Sequence, residues 1–359
     1  MGKILIFSDL HVAQHKRSVE RLYHCLEVLE WVLVTARKRS IEDIVFVGDL
    51  FHDRQRIDVL SYQRTFEIFR KNLNPDNLRF HTLLGNHDLW YNEKWDVSSV
   101  IPLCAIEGFC VIDEPSAHRI AGKVFGFLPY TRNPIEDLKK IKIKEDNRVL
   151  FGHVAIHGAI WNVMHGTTAD VSIEHDGDMV KVDSSIFRGW DQVFLGHYHA
   201  EQKLDFNVEY VGSPLQLNFG EAFQHKHIIV YDTDTGEKEY IRNTFSPQHF
   251  IVPLADVKKY ALDKNFIRVI VDDIAASDLT EVRSSLLHEH KMGSLEIKPV
   301  IKEDTDVSIL DGKQLLVKTN EMTVKFVEEV EKTVGLGELE KKKLIEIGQA
   351  ICERKGEQA

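Results

Sequence analysis

Five short segments of this chain carry side chains that commonly bind divalent metals, and each segment follows an apolar run. In chain order the segments are Asp9-Leu10-His11, Gly48-Asp49, Gly85-Asn86-His87-Asp88, Gly152-His153 and Gly196-His197-Tyr198-His199. Imidazole nitrogens combined with carboxylate and amide oxygens form a mixed ligand set that suits manganese, iron or zinc better than magnesium. A single D-x-H or H-x-H motif is a weak signal, whereas five such motifs in succession are hard to obtain by chance. The pattern predicts a metal centre.

The spacing within these segments indicates how they could share one centre. Residues two apart on an extended segment point to the same side, so Asp9 with His11, and His197 with His199, can act together. Asp49 is the candidate for a carboxylate shared between two cations. Two divalent ions about 3.5–4 Å apart can clamp a phosphate and activate water at neutral pH. The predicted chemistry is therefore hydrolysis of a phosphate ester.

The apolar runs before the five motifs have the length and composition of strands buried in a layered α/β domain. They are Ile4–Phe7, Ile44–Val47, Phe80–Leu84, Val149–Phe151 and Val193–Leu195. Helix-period stretches at Ser18–Arg39 and Asp58–Asn72 lie between the first three runs. Because ligand sites in α/β domains gather at the carboxyl ends of strands, this order would place all five motifs on one rim.

Later elements divide the chain into a large and a small part. A turn signal at Ala121-Gly122 between two apolar runs predicts a hairpin, and Val208–Val211 and Ile228–Asp232 are predicted to be further strands. The large domain is predicted to span residues 1–245 and to end near Ser246-Pro247.

A strand–helix–strand unit follows, with predicted elements at Ile267–Val271, Leu279–His290 and Leu295–Ile301. This α/β unit, residues 246–302, is small for a domain that is stable alone. An acidic linker, residues 303–318, leads to two predicted helices within residues 319–359. The apolar stripes of these helices would pack either on the protein's own core or on a partner.

Composition restricts the environment and the partners of the chain. The formal net charge of −11 argues against a protein that coats nucleic acid by bulk attraction, although bound cations would offset several carboxylates. No apolar run approaches the roughly 20 residues that span a bilayer, and the N-terminus lacks a signal-peptide pattern. We therefore expect a cytoplasmic protein without a membrane partner. The four cysteines form no C-x-x-C pair and are predicted to be buried core thiols: Cys25, Cys104, Cys110 and Cys352.

The ordered set D-x-H, G-D, G-N-H-D, G-H and G-H-x-H resembles the motifs of the calcineurin-like metallophosphoesterases. Gly48-Asp49-Leu50-Phe51-His52, Tyr210-Val211-Gly212-Ser213-Pro214 and Phe219-Gly220-Glu221 resemble its nuclease branch, which contains SbcD and the meiotic-recombination nuclease. The length and the helical C-terminus are similar to those of the T-even bacteriophage recombination nucleases. The resemblance implies a four-layered α/β/β/α sandwich, followed by a small α/β capping domain and C-terminal helices.

The same resemblance implies roles for individual residues. It implies two metal positions, the first held by Asp9, His11, Asp49 and His199, and the second by Asp49, Asn86, His153 and His197. His87 would protonate the leaving oxygen, which requires an imidazolium at that moment. Asp88 could orient His87, and His52 would position the scissile phosphate. The implied cofactors are two divalent cations, with manganese preferred and magnesium as the alternative.

Three further residues are candidate substrate contacts. Arg54 and Arg56 are more often solvated loop charges than phosphate contacts, and both interpretations stay open. Ser213, within the Gly-Ser-Pro segment, is the third candidate.

The implied function is a DNA nuclease with 3′→5′ exonuclease action on duplex ends and endonuclease action on single strands. It would act in DNA end processing, repair and recombination as a homodimer, together with an SMC-like ATPase subunit of the SbcC type. One alternative is a phosphodiesterase or phosphatase for small molecules on the same metal core. His52, the Gly-Ser-Pro segment and the extra C-terminal domain argue against it, because a small substrate requires none of them. A non-catalytic scaffold is the other alternative, and the complete ligand set argues against it.

Overall fold

The computed structural model describes residues 2–73, 77–91, 95–162, 167–168, 181–271 and 276–299, together with Lys343. The chain divides into two units, Met1–Pro299 and Val300–Ala359. The predicted linker 303–318 and the predicted helices within 319–359 fall in the second unit and, apart from Lys343, lie outside the described residues.

The first of two large sheets contains the strands that precede the first three motifs. Its order is β14 (Lys238–Arg242), β13 (His227–Asp232), β1 (Lys3–Phe7), β2 (Asp43–Phe46), β3 (Arg79–Leu83) and β4 (Phe109–Ile112). Strands β1 to β4 are parallel, whereas β13 and β14 join antiparallel. The predicted strands at β1, β2 and β3 are confirmed to within one residue at each end.

The second sheet contains the strands that precede the last two motifs. Its order is β11 (Gln202–Lys203), β12 (Val208–Tyr210), β10 (Gln192–Gly196), β7 (Val149–His153), β6 (Lys123–Leu128) and β5 (Ser116–Ile120). The predicted hairpin is formed by β5 and β6. Its turn residues Ala121 (φ 47°) and Gly122 (φ 81°) both adopt the left-handed conformation that a two-residue hairpin turn requires.

The two sheets pack face to face, and apolar side chains from both fill the space between them. Ile6 and Val45 of the first sheet and Phe127 and Phe151 of the second belong to this buried cluster. Each such side chain contributes about 1.5–3 kcal/mol on full burial. The strands are apolar on both faces because helices cover the outer sides, which explains their continuous apolar sequence.

Two helices cover the outer face of the first sheet. They are α1 (Val19–Lys38) and α2 (Val59–Asn72), and their first turns are capped by the side chains of Ser18 and Asp58. The short helix α3 (Pro134–Leu138) and the 3-10 turn Ser184–Phe187 lie on the other side, where a cluster including Phe187 packs on the second sheet. The predicted α/β/β/α class is confirmed, with a thin fourth layer. No described helix is both long and apolar enough to cross a membrane.

A third, smaller sheet follows in the chain. It consists of the parallel strands β15 (His249–Pro253), β16 (Phe266–Val271) and β17 (Ser294–Pro299), and α4 (Ala276–Glu289) connects the last two. The predicted strand–helix–strand unit is present, but β15 was missed because it begins two residues after a segment expected to be a linker. A separate hairpin joins β8 (Ile160–Asn162) to β9 (Thr167–Thr168). The division at residue 245 stays a prediction, since both parts lie in the unit Met1–Pro299.

The prediction that all cysteines are buried is wrong for two of them. Cys25 is buried in the core, whereas Cys104 and Cys110 are exposed. Cys110 lies on β4, the outermost strand of the first sheet, where one side has no neighbouring strand to cover it. Cys352 lies outside the described residues.

Candidate metal centre

Hydrogen bonds donated by backbone N–H groups connect the segments that follow β1, β2 and β10. The backbone N–H of Asp9 donates to the carbonyl of Gly48 at 3.0 Å, and that of His11 donates to the carbonyl of Asp49 at 3.1 Å. From the second sheet, the N–H of His197 donates to both carboxylate oxygens of Asp9, at 3.0 and 3.1 Å. The two sheets therefore meet at the residues that the motifs predicted as ligands.

Four of the candidate ligands have strained backbones. Asp9 (φ 53°), His11 (φ 48°), Asp49 (φ 63°) and His197 (φ 103°) adopt positive φ values. Such values are uncommon for residues with a Cβ atom, and each costs of order 1–3 kcal/mol. This strain persists only where surrounding contacts impose it, and it is concentrated at functional sites. Its presence at four candidate ligands favours a functional role over simple packing.

Among the described residues, two groups made up only of candidate ligands have the mutual distances needed to hold a cation. Ligand atoms lie within 4.8 Å of one another in each group, and the groups are Asp9, His11 and His199, and Asp49, His153 and His197. Asp49 faces both groups, because its Oδ2 lies 3.6 Å from Nε2 of His11 and 3.4 Å from Nε2 of His153. Asn86 adjoins the second group, with its Oδ1 3.0 Å from that same His153 nitrogen. The structure thus brings all seven predicted ligands together.

The ionisation of these residues fits a cation site. Burial lowers the pKa of His11 and His197 well below the ordinary value, which leaves the neutral imidazole that metals bind. Burial opposes ionisation of Asp49, but His153, His87 and His11 together outweigh it and hold the pKa of Asp49 well below its usual range. Burial likewise disfavours the charged form of His153, yet Asp49 raises its pKa to about 9. A position that stabilises a proton so strongly would also stabilise a divalent cation in its place.

Hydrogen bonds at the far side of two imidazoles determine which nitrogen faces the centre. Nδ1 of His153 lies 2.8 Å from the carbonyl of Val47, and Nδ1 of His199 lies 2.9 Å from Oε1 of Glu221. Each contact leaves Nε2 available as a ligand. Nε2 of His199 faces Nε2 of His11 at 3.1 Å, a contact that requires either a shared proton or a shared cation.

Glu221 is a candidate functional residue that sequence reasoning missed. Its carboxylate is buried, contacts His199, and pairs with the buried Lys226 at 2.8 Å. Burial opposes its ionisation, but Lys226 and His199 bring the pKa of Glu221 well below the ordinary value. The available signal was the Phe219-Gly220-Glu221 segment, which carried a family resemblance without an assigned role. No sequence pattern indicated a role for Lys226.

Ser213 is better placed to support this carboxylate than to contact a substrate. It is 2% exposed, and its hydroxyl donates to Oε2 of Glu221 at 3.2 Å and accepts from Nζ of Lys226 at 2.8 Å. The predicted substrate contact is therefore replaced by a positioning role behind His199.

His87 and His52 lie together at the edge of the centre. Nδ1 of His87 lies 2.5 Å from the carbonyl oxygen of His52, and the backbone N–H of His87 donates to Oδ1 of Asp49 at 2.7 Å. The two rings are nearly parallel, with centroids 5.8 Å apart. Ligand atoms of His11, His52 and His87 also lie within 4.8 Å of one another. His87 is half-buried and His52 is exposed, so both can meet a substrate.

The prediction that Asp88 orients His87 is corrected by the structure. Oδ2 of Asp88 accepts from the backbone N–H groups of Asp49 at 2.8 Å and Gly85 at 2.9 Å, and Oδ1 accepts from Leu50 at 2.9 Å. Asp88 therefore ties the loop after β3 to the loop after β2. The ring of His87 is oriented by the His52 carbonyl instead, because the carboxylate of Asp88 is directed into the protein.

Arg54 and Arg56 lie on the loop that carries His52, between β2 and α2. Arg54 is half-buried and Arg56 is exposed. This placement is compatible with either predicted interpretation, a solvated charge or a phosphate contact.

A carboxylate shared between two sets of ligands is suited to two-cation hydrolysis of phosphate esters, and the site defines a metal-dependent phosphoesterase. The chain belongs to the calcineurin-like phosphoesterase family, whose sequence profile matches residues 2–201. That span contains all seven candidate ligands. The family predicted from the motifs is confirmed, and the chain is a phosphoester-hydrolysing enzyme.

Named relatives place the chain near nucleases within this family. Exonuclease subunit 1 of Enterobacteria phage T4 is 25% identical over 292 residues, which cover 79% of each chain. SbcD, a subunit of the nuclease SbcCD of Escherichia coli K12, is 25% identical over 282 residues, which cover 68% of each chain. The solved structure of a dimetal phosphatase from Danio rerio covers 67% of this chain and 98% of its own, at 10% identity and a TM-score of 0.38, a likeness too weak to bear on function.

Proposed function

We propose that this chain is a metal-dependent DNA nuclease that hydrolyses phosphodiester bonds with two divalent cations. The observation that carries the proposal is Oδ2 of Asp49, which lies 3.6 Å from Nε2 of His11 and 3.4 Å from Nε2 of His153. The similarity to a phage exonuclease subunit and a bacterial nuclease subunit supports DNA as the substrate. The mixed donor set favours manganese, with magnesium as the alternative.

The candidate ligands would hold the cations, which when bound polarise the phosphate and lower the pKa of water. His87 supplies the proton for the leaving sugar oxygen. Its Nδ1 is held by the His52 carbonyl, so Nε2 is the nitrogen that can carry and release this proton. The hydrogen bond from the backbone N–H of His87 to Oδ1 of Asp49 keeps the proposed proton donor close to the shared carboxylate.

The exposed edge of the centre would bind the DNA backbone. His52 lies beside His87 and would position the scissile phosphate. Arg54 and Arg56 on the same loop would contact flanking phosphates, which orient the substrate without reading its sequence. A small substrate would need none of these flanking charges.

The third sheet is proposed to limit the approach of DNA to this edge. Nζ of Lys16, in the segment after β1, lies 2.6 Å from Oε1 of Glu296 on β17. The small sheet therefore contacts a segment that begins only a few residues after the candidate ligands Asp9 and His11. We assign residues 246–302 as the capping domain.

The finer activities and the partners are part of the same proposal. The enzyme would act as a 3′→5′ exonuclease on duplex ends and as an endonuclease on single strands, in DNA end processing, repair and recombination. It would work in the cytoplasm as a homodimer with an SMC-like ATPase of the SbcC type, bound through residues 319–359. Both named relatives are described as subunits, which supports a multi-subunit assembly.

A direct comparison of substrates tests the proposal. The full-length protein is incubated with manganese and either duplex DNA labelled at one end or p-nitrophenyl phosphate mono- and diesters. We expect metal-dependent loss of nucleotides from the 3′ end of the duplex, which a chelator stops. Robust hydrolysis of the small esters without cleavage of DNA would instead establish the small-molecule phosphoesterase.

A further inference from the structure

A second cluster of ionisable side chains lies at the amino-terminal ends of β2 and β3, at the other end of the strands from the metal centre. The carboxylate of Asp43, the first residue of β2, accepts hydrogen bonds from Nε of Arg79 at 2.7 Å and from Nη2 of Arg79 at 2.8 Å. The same carboxylate lies 2.8 Å from Nε2 of His81. Asp43 and His81 are buried, and neither contributes to the proposed nuclease chemistry.

Cys110 extends this cluster to the surface. It lies directly opposite His81 in the pairing of β3 with β4, so the two side chains are neighbours on the same face of the sheet. The thiol is exposed because β4 is the outermost strand of the first sheet. The order carboxylate, imidazole, thiol is the arrangement that activates a cysteine as a nucleophile, since the imidazole accepts the thiol proton and the carboxylate stabilises the imidazolium.

The groups around the cluster shift the pKa values of His81 and Cys110 in opposite directions. Burial disfavours the charged form of His81, but Asp43 and Cys110 together outweigh it and raise the pKa of His81. The neighbouring imidazole of His81 lowers the pKa of Cys110 and partial burial opposes this, while the charge of Arg79 adds to the lowering and that of Asp43 counteracts it. From the second sheet, the facing group is His118, whose own pKa is lowered by burial and by His81.

The other two described cysteines differ from Cys110 in these respects. Cys25 is buried, and burial raises the pKa of its thiol to about 11. Cys104 is exposed, and no hydrogen bond between its thiol and an imidazole or a carboxylate is found among the described residues. Asp43, His81 and Cys110 are not one of the clusters with metal-holding geometry in the described part of the chain, which belong to the candidate metal centre.

We infer that Cys110 is a reactive thiol that exchanges with small disulfides, activated by His81 and Asp43. The thiolate sulfur of Cys110 attacks one sulfur of the disulfide and forms a new S–S bond. The original S–S bond breaks, and the other sulfur leaves as a thiolate, which takes a proton from the imidazolium of His81 or from water. No further oxidant is required, because the disulfide is itself reduced.

Oxidised glutathione is a suitable probe, and Cys104 is a control within the same molecule. The full-length protein is incubated with this disulfide near neutral pH, alkylated at intervals and mapped by mass spectrometry. We expect Cys110 to form the mixed disulfide roughly 10-fold faster than Cys104. Equal rates at the two exposed cysteines would overturn the inference.

Two further measurements separate activation by His81 from simple exposure. Replacing His81→Asn should bring the rate at Cys110 down to that of Cys104, with the rate at Cys104 unchanged. Because that variant removes a buried side chain, the wild-type protein is also followed from about pH 9.5, where ordinary thiols are largely ionised, down to about pH 6.5. The rate at Cys110 should fall less than the rate at Cys104, since its thiolate persists to lower pH. A parallel decline at both cysteines would contradict the proposal even if the variant fails to fold.

Discussion

At the residue scale, the histidines of the centre differ in the hydrogen-bond partner of their Nδ1 atom. His153 and His199 each use Nδ1 for a hydrogen bond behind the site, to Val47 and Glu221, and so present Nε2 as a ligand. His87 uses Nδ1 for the carbonyl of His52, which leaves its Nε2 for proton transfer. The same residue type thus serves two purposes, and the hydrogen-bond partner decides which.

Replacing His87 tests its proposed role as the proton donor. We expect His87→Ala to lower the rate of DNA cleavage by about 10²–10⁴-fold, because the leaving oxygen would depart without a positioned acid. Manganese affinity should change little, since His87 is not among the seven candidate ligands. Single-turnover cleavage and calorimetric titration with manganese measure the two properties. A variant that still cleaves DNA at the wild-type rate would remove His87 from the mechanism.

Replacing Glu221 tests the orientation of His199. We expect Glu221→Gln to weaken manganese binding by about 10–100-fold, because a neutral amide no longer fixes the imidazole as firmly. The matched control is Glu201→Gln, an exposed carboxylate on the segment after His199. Titration of both variants with manganese gives the comparison. The same affinity in both would show that Glu221 does not position a ligand.

Motif spacing identified the candidate ligands but not the groups that hold them. The ligands follow strands that can be recognised in the sequence as apolar runs, so the convergence of the ligands on one rim could be predicted. The partner of His87 could not, because Asp88 adjoins it in sequence while the His52 carbonyl reaches it only in three dimensions. Lys226 escaped notice for the same reason.

At the element scale, the centre depends on a close approach of the loops after β2 and β3. Gly85 lies against Asp49, and a Cβ atom at position 85 would overlap the carboxylate and backbone nitrogen of Asp49. The N–H of Gly85 also donates to Asp88, which binds the loop after β2. The absence of a side chain at Gly85 is therefore a geometric requirement of the shared carboxylate.

The variant Gly85→Ala tests this approach. We expect it to lose nuclease activity and about 1–3 kcal/mol of unfolding free energy, because Asp49 must move to admit the methyl group. Urea denaturation and manganese-dependent cleavage measure the two effects. Gly158→Ala is the control for activity, since a Cβ atom there meets nothing within 4 Å; its φ of 77° strains an alanine, so any stability it loses reports backbone strain alone. Retained activity in Gly85→Ala would show that the loops need not approach so closely.

Sequence patterns predicted elements well where burial is continuous and poorly at the sheet margins. The buried strands β1, β2 and β3 were recognisable because both faces are covered. β15 was not, because only two of its five residues, His249 and Val252, are buried. The burial of Cys110 was predicted wrongly because its place on an outermost strand follows from the order of strands, which local sequence does not reveal.

At the scale of the whole molecule, the bound cations should stabilise the fold. Asp9 and Asp49 are buried carboxylates of the centre, and bound cations would offset their charge. At a manganese concentration of about 100 times Kd, binding to the native state adds about 2.7 kcal/mol per site. We expect Tm to rise by several degrees on addition of manganese and to fall again with a chelator.

Asp49→Asn should remove most of this rise in Tm, because the shared carboxylate is lost. Differential scanning calorimetry of both proteins, with and without manganese, makes the comparison. A rise in Tm of equal size in the variant would mean that manganese stabilises the protein from another position.

The most direct test of the central claim is anomalous diffraction from crystals soaked in manganese. We predict two peaks about 3.5–4 Å apart, with Asp49 in contact with both. His11 and His199 should bind one cation, and His153 and His197 the other. A single peak, or two peaks with Asp49 bound to only one of them, would contradict the shared-carboxylate centre.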